Sequence, residues 1–167
     1  MNAPTETTTR VKVLVADAHA VVRRGIRAYL DGLDDVEVVA EAGDGQEVLD
    51  RLGAMAVHRE LPDVVLIDLL MPRMDGVTTT ALIAERFPGV RVVVLTSFGE
   101  VERVHTALGN GASGYLLKNA DPSEVVAAIR AAKSSPGRKV TATGVSGAID
   151  GAASRSDSTS FAVISSE

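Results

Sequence analysis

The chain has no cysteine, which excludes disulfides and thiolate metal sites and suits a reducing compartment. Aromatic residues are almost as scarce, at 3%, so any core has to be built from Val, Leu, Ile and Ala. No apolar run approaches the roughly 20 residues that a membrane-spanning helix needs. The opening MNAPTETTTR is polar and lacks the apolar stretch of a signal peptide. These absences lead us to expect a soluble, cytoplasmic chain with no membrane partner. A basic surplus is missing too. Formal net charge is −5, and because residues 133–167 carry four basic and three acidic side chains, the body before them stands near −6. Such an acidic body argues against a nucleic-acid surface, so no direct DNA binding is expected from this chain.

What is present is ample apolar material, 46% of 167 residues, enough for one ordinary domain. Five short, nearly continuous apolar segments recur at Val11–Ala16, Val36–Ala40, Val64–Ile67, Val90–Leu95 and Tyr115–Leu117. Runs of this kind suit strands buried on both faces of a parallel sheet. Helical spacing fills the gaps between them: Val22, Ile26 and Leu30; Val48, Leu52 and Met55; Val77 and Ala81; Val101, Val104 and Leu108; Val125, Ile129 and Ala132. The last helix opens at DPSE, with Asp121 as N-cap, Pro122 at N1 and Glu124 at N3. Alternating strands and helices imply an α/β fold, a doubly wound five-stranded parallel sheet of flavodoxin-like order 2-1-3-4-5 with helices on both faces. Residues 1–10 are expected to be a disordered N-terminus and 11–132 the folded domain. Ser, Gly, Thr and Ala supply 21 of the 35 residues from 133 to 167, a composition that predicts a disordered tail. Within it, the apolar run Phe161–Ser165 could pair as a short strand, but it too is expected to stay part of the disordered tail.

Right-handed crossovers put every loop that follows a strand on one edge of such a sheet, and chemistry collects there. The polar residues at those ends are Asp17, Asp68, Thr96 and Lys118. Singly, each has a plain structural explanation as a helix cap, a turn former or a solvated charge. Together, two carboxylates, a hydroxyl and an ammonium suit phosphoryl transfer to a carboxylate. Asp68 would be the nucleophile, and a hard divalent cation, Mg²⁺, would offset the charge repulsion. Thr96 and Lys118 would each take a phosphoryl oxygen.

LIDLLMPRMDG, followed at its intervals by LTS and GYLLK, resembles the receiver domains of bacterial two-component response regulators, and looks most like the NarL/FixJ type. The likeness covers residues 11–132. It implies that Asp68 accepts a phosphoryl group from a sensor histidine kinase, in a signalling switch that is not an enzyme. It further implies that Thr96 and Tyr115 are a switch pair, that Lys118 binds phosphate, and that the backbone carbonyl of Leu70 joins Asp17 and Asp68 as a metal ligand. The face made by the fourth helix, fifth strand and fifth helix, with Glu102, Arg103 and Arg130 on it, would serve signalling or homodimer formation. Pro72 and Gly76 are expected only to shape a loop.

The family usually carries two adjacent acids after its first strand. Here Asp17 matches the first, and Ala18 stands where the second, a direct metal ligand, is expected. Losing even an outer-shell partner weakens metal binding roughly 10- to 100-fold. Either Asp17 and Asp68 hold the ion with extra waters, or the domain works without metal as a pseudo-receiver interaction module, or Ala18 is an introduced change. A second departure is the missing helix-turn-helix, since the tail offers neither amphipathic helices nor basic residues for phosphates. A stand-alone receiver and a shortened transcription factor both fit. A haloacid-dehalogenase-type phosphatase would need an acid at Leu70, and a flavodoxin-like cofactor binder would need a phosphate loop where DAHAVVRRG stands. His19, His58 and His105 show no metal-ligand spacing, and His19 is expected to start a helix beside the acidic edge. Met71 and Met74 bracket a turn, and Arg23 and Arg24 are expected on the solvent side of the first helix.

Overall fold

The structure, a computed structural model, describes residues 9–134 and 162–163. Five strands and five helices alternate: β1 (Val11–Ala16), α1 (Ala20–Asp31), β2 (Val36–Ala42), α2 (Gly45–Val57), β3 (Val64–Asp68), α3 (Gly76–Arg86), β4 (Arg91–Thr96), α4 (Val101–Gly109), β5 (Gly114–Leu117) and α5 (Pro122–Ser134). The strands pair in parallel in the order β2-β1-β3-β4-β5, as the alternation implies. β2 runs two residues further than its apolar pattern suggested, accommodated by a register shift opposite Val13 and Leu14. A short sixth strand, β6 (Ala162–Val163), pairs antiparallel with β5. It falls inside the apolar run Phe161–Ser165, so these two residues are strand and not the disorder expected of the tail, because the rim of β5 offers them a ladder to join. The remaining tail residues and residues 1–8, for which disorder is expected, lie outside the described residues.

Strand alternation divides the core. Val13 and Val15 of β1 join Leu66, Leu95, Leu116 and Ile129 under α1 and α5, whereas Leu14 and Ala16 join Ile67, Val94, Leu52 and Leu108 under α2, α3 and α4. In the fifth stripe Ile129 and Ala132 are buried as expected, while Val125 is half-buried and Val126 beside it is buried. Glu124 reaches back to the Asp121 N–H at 3.0 Å, the reciprocal half of a capping box.

Two stripes differ from expectation. α3 buries Gly76, Thr79, Thr80 and Ile83, with Val77 and Ala81 only half-buried. Thr79 and Thr80 are tolerated inside because their hydroxyls donate to the carbonyls of Asp75 and Gly76 four residues back, at 2.6 and 2.7 Å. Val101 at the start of α4 is exposed, so Val104, Ala107 and Leu108 hold that helix down. No helix among the described residues is long and apolar enough to cross a membrane.

Candidate functional site

Asp17 is the first residue past β1, and Asp68 is the last residue of β3. The β1–β3 register pairs Ala16 with Ile67, so the two acids sit side by side at the carboxyl edge of the sheet. Their exposures are 0% and 2%. Lys118 arrives from beyond β5, its backbone N–H fixed on the carbonyl of Thr96 at 2.8 Å. Its ammonium lies 3.0 Å from Asp17 Oδ2 and 2.9 Å from Asp68 Oδ2. Only the contact with Asp68 has hydrogen-bond alignment. Asp17 Oδ2 is buried and meets Lys118 as an ion pair without that alignment.

The other carboxylate oxygens anchor the loops. Asp68 Oδ1 accepts from the Leu70 N–H at 3.1 Å, which places the backbone of Leu70 at the site. Asp17 Oδ1 accepts from the His19 N–H at 2.8 Å and faces the His19 Nδ1 at 3.1 Å. Arg23 closes this corner by donating to the Asp17 carbonyl at 2.6 Å. It therefore packs half-buried against the end of β1, while Arg24 alone faces solvent as expected.

Two acids against one ammonium leave the site short of positive charge. Burial pushes the Asp68 carboxyl above its usual range and the Asp17 charge adds to this, while the Lys118 and Leu70 hydrogen bonds pull the other way. Burial opposes the charge on Lys118, but the two carboxylates outweigh it and raise its pKa. Removing a cation from such a pair costs more than making the pair gains, because the acids are left buried and uncompensated.

Thr96 closes β4 one strand away and is buried. Its hydroxyl is turned from the acids to Glu100, donating to Oε2 at 2.5 Å, and the Ser97 N–H donates to the same oxygen at 3.0 Å. Tyr115 is buried on the same sheet face, two residues before the Leu117 that pairs with Thr96. Burial raises its hydroxyl pKa. Glu100 escaped sequence reasoning, although Ser97-Phe98-Gly99-Glu100 has the S-x-x-E spacing of a capping box.

Asp44 was missed as well. It caps α2 through the Glu47 N–H at 2.9 Å and receives the Arg73 guanidinium, with Nε at 2.9 Å. These contacts, the Glu47 N–H first and Arg73 after it, outweigh burial and hold its carboxyl below the usual range. Arg73 sits at φ +65, and its link to Asp44 ties the loop after Asp68 to α2. Arg130, expected on the α4–β5–α5 face, is held by Asp35 through two bonds of 2.8 and 2.9 Å. His58 follows α2 and His105 lies in α4, both remote in sequence and element from the acids.

Among the described residues, one group of side chains could hold a metal ion. It comprises Asp17, His19 and Asp68, whose ligand atoms all lie within 4.8 Å of one another.

The model of the response regulator receiver domain matches residues 13–130. The transcriptional regulatory protein YhcZ of Bacillus subtilis is 41% identical over 116 residues, which are 70% of this chain and 52% of that protein. The response regulator protein VraR of Staphylococcus epidermidis is 41% identical over 120 residues, 72% of this chain and 55% of that protein. The chain thus spans about half the length of these relatives. Among solved structures, the signal receiver domain of the response regulator NarL from Mycobacterium tuberculosis superposes with a TM-score of 0.66 at 34% identity, covering 75% of this chain and 97% of that one. The response regulator ChrA of a heme-sensing two-component system gives 0.65 at 35% identity, covering 90% and 69%. With the fold order, the acidic edge and these likenesses in agreement, the chain belongs to the receiver domain family of two-component response regulators.

Proposed function

We propose that Asp68 is the phosphoacceptor of this receiver, taking its phosphoryl group from a sensor histidine kinase, and that Lys118, Thr96 and Tyr115 convert that event into a change of shape. The observation that carries the reading is the pair of buried carboxylates, Asp17 and Asp68, bridged by one ammonium. An Asp68 oxygen forms the new O–P bond while the bond from phosphorus to the donor's imidazole nitrogen breaks, and the leaving imidazole takes up a proton. Lys118, already 2.9 Å from Asp68, stays on the acceptor and pairs with a phosphoryl oxygen. The Thr96 hydroxyl exchanges Glu100 for a second phosphoryl oxygen, and the move frees space that the Tyr115 ring follows.

The donor chemistry fits a divalent cation: two buried carboxylates, one with an oxygen that makes no hydrogen bond, beside the Leu70 backbone. Asp17, Asp68 and the Leu70 carbonyl would hold Mg²⁺, the ion expected for the family. When bound, it supplies charge neutralisation between acceptor and phosphoryl oxygens. Ala18 leaves one ligand fewer than the family carries, so a weakened site belongs to the proposal. Homodimer formation through α4, β5 and α5 is the proposed output, supported by the exposed Phe98 and Val101 at the head of α4. No DNA contact by this chain is part of it. The transcriptional role carried in the names of the relatives is said of proteins about twice as long.

Intact-protein mass after incubation with acetyl phosphate tests the reading, in Mg²⁺ and in EDTA. The expected result is one added phosphoryl group that depends on the cation and is lost in Asp68→Asn. No adduct at high Mg²⁺ would leave an interaction module without a phospho-switch.

A further inference from the structure

His19 is the N-cap residue of α1, yet its side chain makes no cap hydrogen bond. Its ring instead faces the acidic edge, with Nδ1 3.1 Å from Asp17 Oδ1. The ring is otherwise open, with the side chain 70% exposed, while the carboxylates beside it are essentially sealed. Position 18, from which an acid would enter the site, carries a methyl group that faces solvent. The group able to surround a cation is therefore two carboxylates and an imidazole, all within 4.8 Å. Asp17 Oδ2, buried and held only by the Lys118 ammonium at 3.0 Å, is the atom such an ion would take over.

Donor type decides which ion prefers such a set. Mg²⁺ is a hard ion that takes near-ideal octahedral oxygen surroundings and gains little from nitrogen. Imidazole suits the first-row transition ions and Zn²⁺, whose affinities rise in the order Mn²⁺, Co²⁺, Ni²⁺. A carboxylate in place of Ala18 would have kept the site all-oxygen.

We propose that His19 serves as the third side-chain ligand in place of the acid missing at Ala18, so that this site is a mixed oxygen–nitrogen site selective for a borderline transition ion over Mg²⁺. With such an ion held, Asp17 would give up its contact with the Lys118 ammonium, while Lys118 would keep its aligned bond to Asp68. Rotation about the His19 side chain suffices to aim a ring nitrogen, because the ring is exposed and caps nothing. The inference rests on the reading of Asp68 as an acceptor served by a cation, but it concerns which ion is held, and that is measured without phosphorylation.

The test uses the full chain, free of any histidine tag, with Co²⁺ as the probe. Titration is followed by visible absorption and by calorimetry, with Mg²⁺ titrated in parallel. The variants are His19→Ala, Ala18→Asp, and His58→Ala as a control for adventitious binding. In wild type, Co²⁺ should bind at one site, at least about tenfold more tightly than Mg²⁺. His19→Ala should lower Co²⁺ affinity about 10- to 100-fold, the range for losing a supporting ligand, and change Mg²⁺ affinity less than about twofold. Ala18→Asp should raise Mg²⁺ affinity and narrow the preference, and His58→Ala should change nothing. With Mn²⁺, nitrogen modulation of the electron spin echo should appear in wild type and vanish in His19→Ala. Equal Co²⁺ affinity in wild type and His19→Ala overturns the proposal, as does the absence of nitrogen coupling. If Co²⁺ binds through His19 but acetyl phosphate never labels Asp68 with any ion, the metal site stands and the phospho-switch fails. If Asp68 is labelled in Mg²⁺ and His19→Ala leaves Co²⁺ binding intact, the switch stands and this inference fails.

Discussion

Replacing Gly76 by alanine should destabilise the chain by about 2–3 kcal/mol, against the usual direction for a helical glycine. An alanine in a helix is ordinarily preferred to glycine by roughly 0.5–1 kcal/mol. At Gly76 the added Cβ would lie 2.2 Å from the Asp68 carbonyl oxygen and 2.8 Å from the Leu69 Cα. Both are backbone atoms, so no rotamer change relieves the contact. The first turn of α3 has to lift from the acceptor loop until the gap reaches at least 3.0 Å. It must do so against the Gly76 N–H bond to the Leu69 carbonyl at 2.9 Å. Overpacking of this kind typically costs 1–3 kcal/mol, and a backbone-to-backbone clash belongs at the upper end. Urea unfolding followed by far-UV circular dichroism is the assay. With a slope of roughly 1–3 kcal/mol per molar urea, the midpoint should fall by about 1 M. Gly53→Ala, in α2 with nothing within 4 Å of the added atom, should instead raise stability by about 0.5–1 kcal/mol. A Gly76→Ala midpoint equal to wild type, or moving upward together with Gly53→Ala, would refute the steric argument.

Three further outcomes follow from the site and its supports. Asp44→Ala removes both the cap of α2 and the anchor of Arg73, and should lower stability by about 1–2 kcal/mol in the same urea assay; because the Asp44 carboxyl is held low, its contribution is present above the unfolded pKa and should fade as pH falls through the folded one. Asp68 runs the other way. Its folded pKa is raised above the ordinary 3.8, so its contribution to stability is fully present below that value and is lost as pH rises through the folded pKa. Unfolding free energies measured stepwise upward from pH 4 should lose this downward component in Asp68→Asn, and an unchanged slope would count against a raised pKa. Glu100→Ala leaves the Ser97 N–H without its acceptor and the buried Thr96 hydroxyl with only the Ser97 carbonyl at 3.3 Å, and should cost about 1–3 kcal/mol; the same variant should be labelled faster by acetyl phosphate, since the hydroxyl no longer has to leave Glu100, and slower labelling would show that Glu100 assists the reaction.

The order of the sheet and the location of its reactive edge were legible because five β-branched runs alternate with helical stripes. The crossover rule then places Asp17, Asp68, Thr96 and Lys118 together, and three of these meet within 3.0 Å. Thr96 was placed on the right strand, but the direction of its hydroxyl depends on Glu100, whose capping spacing looks like ordinary helix grammar. Gly76 reads as a turn former in MDG, whereas its φ is unremarkable and what it supplies is room for a neighbouring strand end. Such a need arises only once α3 has docked. Asp44 and Arg73 are 29 residues apart, and no local pattern joins them. Arg23 reads as solvent-facing because its stripe does, yet the carbonyl it donates to belongs to Asp17, just past the end of β1.

β6 has a bearing on assembly. Two residues from the far end of the chain lie along β5, with Ala162 opposite Tyr115 and Val163 opposite Gly114. The outer rim of β5, which would otherwise offer bare N–H and C=O groups to any passing strand, is thereby partly taken by the molecule itself. A binding partner that joins by extending the sheet must first peel this segment away, so strand exchange at this side is a competition. The strand bearing Tyr115 therefore has its own occupant on its rim, and any shift of the Tyr115 backbone alters the seat of a segment from near the other end of the chain.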